Sequence, residues 1–534
     1  MSYTVRQLCL FFLLSASGFG CAKKNFFSKT PILGDSQYQK VQAAAPGTID
    51  SVTVQAGSHY KRGGFHTFFW GKHYRDIWVA PVQVQVFNMN ETKGGLEIEK
   101  LGGGMQTTSL TLTDKEGFSY ALRSLDKDPI GVLPKFWQKT FVADVIRNQT
   151  SAINPYGALI IPGMAKAAGI PHANPELIYV LPTDTSFGEF NDQFQDRFFM
   201  IEEKYTDDNS ITDDIADAED IVSSKKMLKK RFNKDSHFID QRAFAKARLF
   251  DLVINDWDRH EGQWNWAEYD EDGETIYRPI PKDRDNAFYQ FDDGVITWLF
   301  SRKWAIRKFE SFSEDYKDVY ALAMNSSFID QRALPELTAK DFAELATELQ
   351  ASLSDQVIEQ AVRQFPDSVY KLVGESYIRK LKNRRDKLPE AAQEFYKILA
   401  KEALVVGTDE EDIFEVKRLN DDETAVTVWR ASDKKQVYHR VFNRAETDLI
   451  TLYGLAEDDE FKVSGEVNKG IKVKIVGGRG EDEMKDTSQV KGLRRKTIVY
   501  DTKRGTELEA GPETKDKRTS DVRVHAFDRE GFSR

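Results

Sequence analysis

Cysteine is almost missing: 2 residues in a chain of 534, Cys9 and Cys21. Both lie at the extreme N-terminus, so no disulfide framework can staple the rest of the fold. Long apolar runs are missing too. After the first twenty residues nothing reaches the ~20 residues a membrane-spanning helix needs. There is no basic excess. Lys and Arg number 75 against 85 Asp and Glu, a formal net charge of −10, which excludes a nucleic-acid-binding surface as the main function. What is present is ordinary for a globular chain, 30% charged and 12% aromatic. The length allows about three domains, each able to bury its own core.

The first segment has the pattern of an export signal: Arg6, an apolar core from Leu8 to Ala16, then Ser17-Gly18-Phe19-Gly20 before Cys21. Small residues ahead of a cysteine resemble a bacterial lipoprotein signal, although Phe19 departs from its tighter form. That resemblance implies removal of residues 1–20, a lipid on Cys21 and a polar tether over 21–47. The chain would then sit in the bacterial cell envelope, held at the outer membrane by lipid. An ordinary signal peptide with an incidental cysteine is the alternative.

Possible chemistry is densest between Ala247 and Phe291. Leu249, Leu252 and Val253 keep helical spacing and predict a helix ending near Asn255. A loop follows, Asp256-Trp257-Asp258-Arg259-His260-Glu261-Gly262-Gln263. Strands are expected over 264–269 and 275–280, around a turn at Asp270 to Gly273. Lys282-Asp283-Arg284-Asp285-Asn286-Ala287-Phe288 comes directly after the second strand. An acid after a helix, an amide five residues on, a hairpin and a second acid is the order of a phosphoryl-transfer site. One carboxylate takes or orients the hydroxyl proton; the amide and the second carboxylate hold metal on the nucleotide phosphates.

The Asp258-Arg259-His260 form resembles HipA-type kinases and the secretory-pathway (Golgi casein-kinase-like) kinases over roughly residues 101–291. The resemblance implies ATP with magnesium or manganese, Asp258 and His260 as catalytic residues, and metal on Asp283 and Gln263. Gln263 stands where asparagine is usual, and Asp285 competes with Asp283 for a metal role. A structural acid cluster, with Asp258 paired to Arg259 and His260 simply buried, is the competing account.

Upstream, Gly102-Gly103-Gly104 opens a glycine-rich turn between two strands, and glycines let backbone N–H groups approach phosphate. Arg123 takes the place of the phosphate-pairing lysine, with Lys127 as the alternative cation. Asp144 is the best acid on the following helix to hold that cation. The strand over 197–203 should connect two lobes beside an adenine ring, with Glu202 at its exit. His59, His66 and His73 recur every seven residues, but Gly63, Gly64 and Gly71 break any helix that would gather them. Aromatic packing accounts for them better than a metal.

Residues 295–400 read as helical, with Thr338 placed to cap one helix. The basic run Arg379, Lys380, Lys382, Arg384, Arg385 and Lys387 reads as a solvated face. Strand-like alternation resumes after Leu404. Gly477-Gly478-Arg479-Gly480-Glu481-Asp482 matches one turn of a calcium-binding β-roll, but a single good copy implies structural stacking, not calcium. The order of parts resembles an uncharacterised group of bacterial envelope lipoproteins related to outer-membrane barrel-associated proteins, which implies an outer-membrane β-barrel partner. The expected architecture is α+β. A bilobal kinase-like domain has a β-rich N-lobe over 48–205 and a helical C-lobe over 206–402. A small all-β domain follows over 403–504, then a mobile tail over 505–534. The expected function is ATP-dependent phosphotransfer to a protein or small-molecule hydroxyl. A catalytically inactive, kinase-like envelope scaffold is the second.

Overall fold

The computed structural model describes residues 22–23, 26–27, 30–45, 47–102, 107–521 and 525–531. The expected signal segment, Cys21, Gly103 and Gly104 lie outside them. The described chain is a mixed α+β structure with several sheets.

The first sheet joins β1 (Ser51–Val54), β2 (Val82–Val86), β3 (Leu96–Gly102), β4 (Ser109–Asp114), β5 (Ser119–Ser124), β6 (Glu176–Val180) and β7 (Arg197–Glu203). Their spatial order is β1-β2-β6-β7-β5-β4-β3. Only β2 and β6 run parallel; the other neighbours are antiparallel. Alternation along β5 and β7 divides the sheet's faces. Leu122, Phe199 and Ile201 go into a fully buried core with Leu110 and Leu112. Arg123, Met200 and Glu202 take the other face, because Arg123 sits opposite Met200 and Glu202 is two residues further along the same strand.

A second sheet follows, ordered β8 (Asp220–Ser223), β10 (Trp264–Glu271), β11 (Glu274–Pro281), β9 (His237–Ile239). Between β9 and β10 runs the helix Gln241–Val253, capped by the Asp240 carboxylate on the Ala243 N–H. Nine of its residues are buried, Arg248 and Asp251 among them. The helices Ala339–Ser352, Asp367–Asp386 and Leu388–Ala400 pack around it within one large core. Thr338 caps the first of these, with Asp341 reaching back to the Thr338 N–H.

The C-terminal part is a solenoid rather than a simple β domain. One sheet stacks β12 (Glu402–Val406), β16 (Leu449–Ala456), β19 (Lys472–Arg479), β22 (Thr497–Tyr500) and β24 (Thr514–Asp516), all parallel. The opposing sheet stacks β13 (Asp412–Arg418), β17 (Glu460–Ser464), β20 (Asp482–Asp486) and β23 (Thr506–Glu509), also parallel. An antiparallel hairpin, β14 (Glu423–Arg430) and β15 (Gln436–Asn443), extends it at one edge. Phe414, Phe461, Leu452, Val473 and Met484 fill the space between the sheets.

Two expectations need correction. The region read as a tether holds the helix Asp35–Gln42, with Val41 fully buried and Ile32 bridged to Val54, because its scattered apolar residues find the core. The region read as a mobile tail supplies β23 and β24, and Phe527 then packs on Phe232 and Tyr453 while Arg529 pairs with Asp409. Its polarity belongs to outward-facing residues of a final coil.

Candidate active-site cleft

The β10–β11 hairpin brings the two acid-bearing loops side by side. Trp264 pairs with Pro281, so Gln263 and Lys282 are neighbours across the ladder, and the Lys282 N–H donates to the Gln263 carbonyl at 3.1 Å. Arg259 clamps the junction: Nη1 donates to the Lys282 carbonyl at 2.8 Å and Nη2 to the Gln263 carbonyl at 3.1 Å. Its guanidinium lies over the Trp264 ring and its Nε donates to Asp251. Asp251, wholly buried on the helix before the loop, also receives Arg248 and Arg284. One carboxylate therefore ties the helix, the first loop and the second loop. Arg259 pairs with Asp251 and Asp256, not with Asp258 as a structural cluster required.

Asp258 stays out of that ion cluster and does not line the cleft beside it. It accepts from Asn325 Nδ2 at 2.9 Å and from Asn286 Nδ2 at 3.4 Å. The same Asn286 amide donates to Asp285 at 2.9 Å, so one side chain bridges Asp258 and Asp285. Asp283, immediately after β11, has φ of 56°. That left-handed conformation is uncommon outside glycine and points to a position over-determined by its surroundings. It turns the carboxylate toward the sheet, where Arg123 Nη1 meets it at 2.6 Å. Arg123 also holds Glu202 at 2.9 Å, and Lys127 pairs with Asp285.

These charges set one another. Burial pushes Asp283 up, but Arg123 and Lys127 outweigh it and hold the carboxyl down at about 2. Burial, then the neighbouring Asp283 charge, raises Asp285 to about 6, against the pull of Lys127. Burial raises Glu202 to about 7 in spite of Arg123. A cleft opens between β5, β7 and the second loop. Leu125, Ile153, Ile161 and Met200 line it together with Arg123, Lys127, Asp283 and Asp285.

Other expected site residues fall differently. Gly102 ends β3 opposite Ser109, which in turn faces Arg123, so β3 ends on the rung carrying the cleft's arginine. His260 is turned to its own loop, where Nδ1 accepts the Gly262 N–H at 3.0 Å. Gln263 is buried outside the cleft lining and engages through its backbone. Asp144 is not paired with Arg123; it accepts the Lys23 N–H and lies 3.9 Å from Arg147. His59, His66 and His73 have separate partners, Asp126, Asn148 and Asp293. Asn286, Asn325 and the Asp251 anchor escaped sequence reasoning. Only the Asp-x-Asp-Asn run hinted at the first.

No family model matches the sequence, and no curated protein matches it. Among solved structures the chain is similar to the crystal structure of a Helicobacter pylori proinflammatory kinase, CtkA. Identity is 13% and the TM-score 0.32, over 57% of this chain and 97% of that one. So slight a likeness adds nothing to the geometry of the cleft.

Proposed function

We propose that the cleft binds a nucleoside triphosphate with magnesium or manganese and passes the terminal phosphoryl group to a hydroxyl. The observation that carries this is the two ion pairs lining the cleft, Arg123–Asp283 and Lys127–Asp285, with Asn286 linking Asp285 to Asp258 beyond the lining. The strand order from β3 onward, β3-β4-β5-β7-β6, supports a kinase-like N-lobe, with the helices after β7 as the second lobe. The apolar side chains of the lining, Met200 and Leu125 among them, suit a base, and its cations suit phosphates.

The donor chemistry fits a magnesium-type ion, which takes one or two carboxylates plus phosphate oxygens. Asp283 and Asp285 supply the carboxylates. Among the described residues no group of three or more His, Cys, Asp or Glu could hold a metal, so the ion would arrive with the nucleotide. When bound, it neutralises charge on the transferring group. Arg123 and Lys127 then exchange their carboxylate partners for phosphate oxygens. Asn325 and Asn286 orient Asp258, which accepts the proton as the acceptor oxygen bonds to phosphorus and the bond to the leaving diphosphate breaks. We place this activity on a chain anchored by lipid at Cys21 in the bacterial envelope, near an outer-membrane β-barrel partner. The acceptor is a protein or small-molecule hydroxyl.

One observation favours a second reading, a nucleotide-binding or empty scaffold without transfer: Gln263, at the expected amide position, is buried outside the cleft. Melting temperature with and without ATP and manganese separates the accounts. The wild type should shift upward by several degrees, Asp283→Ala should lose the shift, and Asp258→Asn should keep it while losing transfer. No shift in the wild type would remove the nucleotide from the account.

A further inference from the structure

The helix Gly64–Trp70 reads Gly-Phe-His-Thr-Phe-Phe-Trp and buries none of its residues. Phe65 is 83% exposed and Phe68 62%. Against it packs the helix Val295–Phe300, itself exposing Val295, Trp298 and Leu299, and beyond it Trp304 and Ile306. Single exposed apolar residues need no explanation; a contiguous aromatic patch marks an interaction surface.

Two further facts say what covers it. The first is charge. No acid occurs in residues 51–75, 129–143 or 294–309, in a chain whose net charge is −10. Those stretches carry Lys61, Arg62, Lys72, Lys135, Lys139, Arg302 and Lys303. Some are partly committed: Lys72 pairs with Asp76, and Lys303 lies 3.9 Å from Asp318. Aromatic and aliphatic side chains rimmed by cations match the interface of an anionic bilayer.

The second fact is where the segment after Cys21 lies. On the helix Phe141–Gln149, Asp144 and Asn148 are one turn apart and share a side. Asp144 accepts the Lys23 N–H, and Asn148 meets His66 of the aromatic helix at 3.1 Å. Ala22 donates to the Lys139 carbonyl, beside Phe136, which is 73% exposed. Lys23, two residues after Cys21, and the aromatic helix thus meet the same side of one helix.

We propose that Phe65, Phe68, Trp298 and Phe136 form a membrane-docking face that lies on anionic lipid next to the Cys21 anchor. The proposal takes its anchor from the reading above but its binding surface from these side chains. Among the described residues no helix is long and apolar enough to cross a membrane, so this contact is interfacial. An acyl chain alone holds weakly, and a second contact makes anchoring stable.

The test uses the full chain carrying Cys21→Ser, mixed with vesicles of phosphatidylglycerol and phosphatidylethanolamine whose acyl chains are brominated. Bound protein should show quenched tryptophan fluorescence, and Trp298→Phe should remove that quenched component. Phe65→Ser with Phe68→Ser should weaken binding by about tenfold or more, and added salt should weaken it further. Leu493→Ser, at a fully exposed site on the solenoid, should change nothing. Equal binding by the double variant, or equal loss in Leu493→Ser, overturns the proposal, as does lipid-independent self-association lost with the phenylalanines. The nucleotide-induced melting shift of the double variant should equal the parent's, so failure here is distinct from failure of the phosphotransfer reading.

Discussion

The molecule buries carboxylates in two places and treats them oppositely. Around the cleft, every deeply placed acid has a cation. Asp251 holds three arginines, Asp283 holds Arg123 and Asp285 holds Lys127. In the solenoid, Asp459, Asp482 and Asp501 stack through successive coils with no cation acting on them, and Asp412, one coil earlier, feels Arg231 without an ion pair to it. There Asp459 Oδ1 accepts the Asp412 N–H, and Asp482 Oδ1 accepts the Asp459 N–H. The other oxygens of Asp459, Asp482 and Asp501 are buried without a partner. Burial raises Asp459 to about 10 and Asp482 to about 8. At neutral pH Asp459 and Asp482 are protonated struts, while Asp283 in the cleft is an ion. Ionic pairing keeps charge ready for a ligand; protonation lets a carboxyl serve as a neutral spacer.

Exchanging aspartate for asparagine breaks or sharpens that contrast, and gives the largest expected effect. Asp251→Asn removes the charge opposing Arg248, Arg259 and Arg284 and should destabilise the helical region by about 3–5 kcal/mol. Asp459→Asn keeps the oxygen that accepts the Asp412 N–H and removes no ion at neutral pH. It should stay within about 1 kcal/mol. Hydrogen exchange resolved by peptide measures each region separately, since a chain with several cores need not unfold in one step. Equal losses would mean that the solenoid acids are ionised after all.

The next effect is the pH dependence, and its sign differs between Asp283 and the solenoid's Asp459 and Asp482. Asp459 and Asp482 have folded values above the ordinary carboxylate range. The native state therefore binds more protons than the unfolded chain between pH ~4 and pH ~8, and stability falls as pH rises. For Asp482 alone, moving from pH 5 to pH 7 should cost the solenoid on the order of 2–3 kcal/mol. Asp283 is held down at about 2, so its contribution is complete above pH ~4 and is lost only as pH falls toward 2. Hydrogen exchange should show the solenoid loosening between pH 5 and pH 7, with Asp285 and Glu202, also raised, pulling the cleft the same way, while the Asp283 contribution appears as a loss of cleft protection below pH ~4.

How much was legible follows the range of the interactions. The 264–281 hairpin, its turn, the helix before it and the order of the two acids depend on local alternation and spacing, and they emerged almost to the residue. Asp251, Arg259 and Arg284 did not. Nothing local distinguishes a buried, shared carboxylate from one in solvent, and the arginines lie far along the chain. The solenoid was half visible. Gly454 with Asp459 and Gly477 with Asp482 repeat at 23 residues, matching the register of β16 on β19. The earlier rung, Gly407 with Asp412, is hidden because the β14–β15 hairpin interrupts the period. Gly477 is required there: a Cβ would stand 2.2 Å from both Asp482 Oδ2 and Asp501 Oδ2.

The smallest effect concerns His260, which the motif placed in catalysis and the structure turns toward Gly262. If its ring only holds the loop, His260→Ala loses one side-chain-to-backbone hydrogen bond at a half-exposed position, about 0.5–1.5 kcal/mol. Asp258 keeps both its amide donors, from Asn325 and Asn286, in that variant. Phosphoryl transfer should therefore fall less than about threefold, and its pH profile should not move. In contrast, Asn325→Ala leaves Asp258 with the longer Asn286 contact alone and should lower transfer while sparing the nucleotide-induced melting shift. Should His260→Ala instead abolish transfer with the melting shift intact, the imidazole acts on the reaction itself, and the cleft wall must be redrawn to include it.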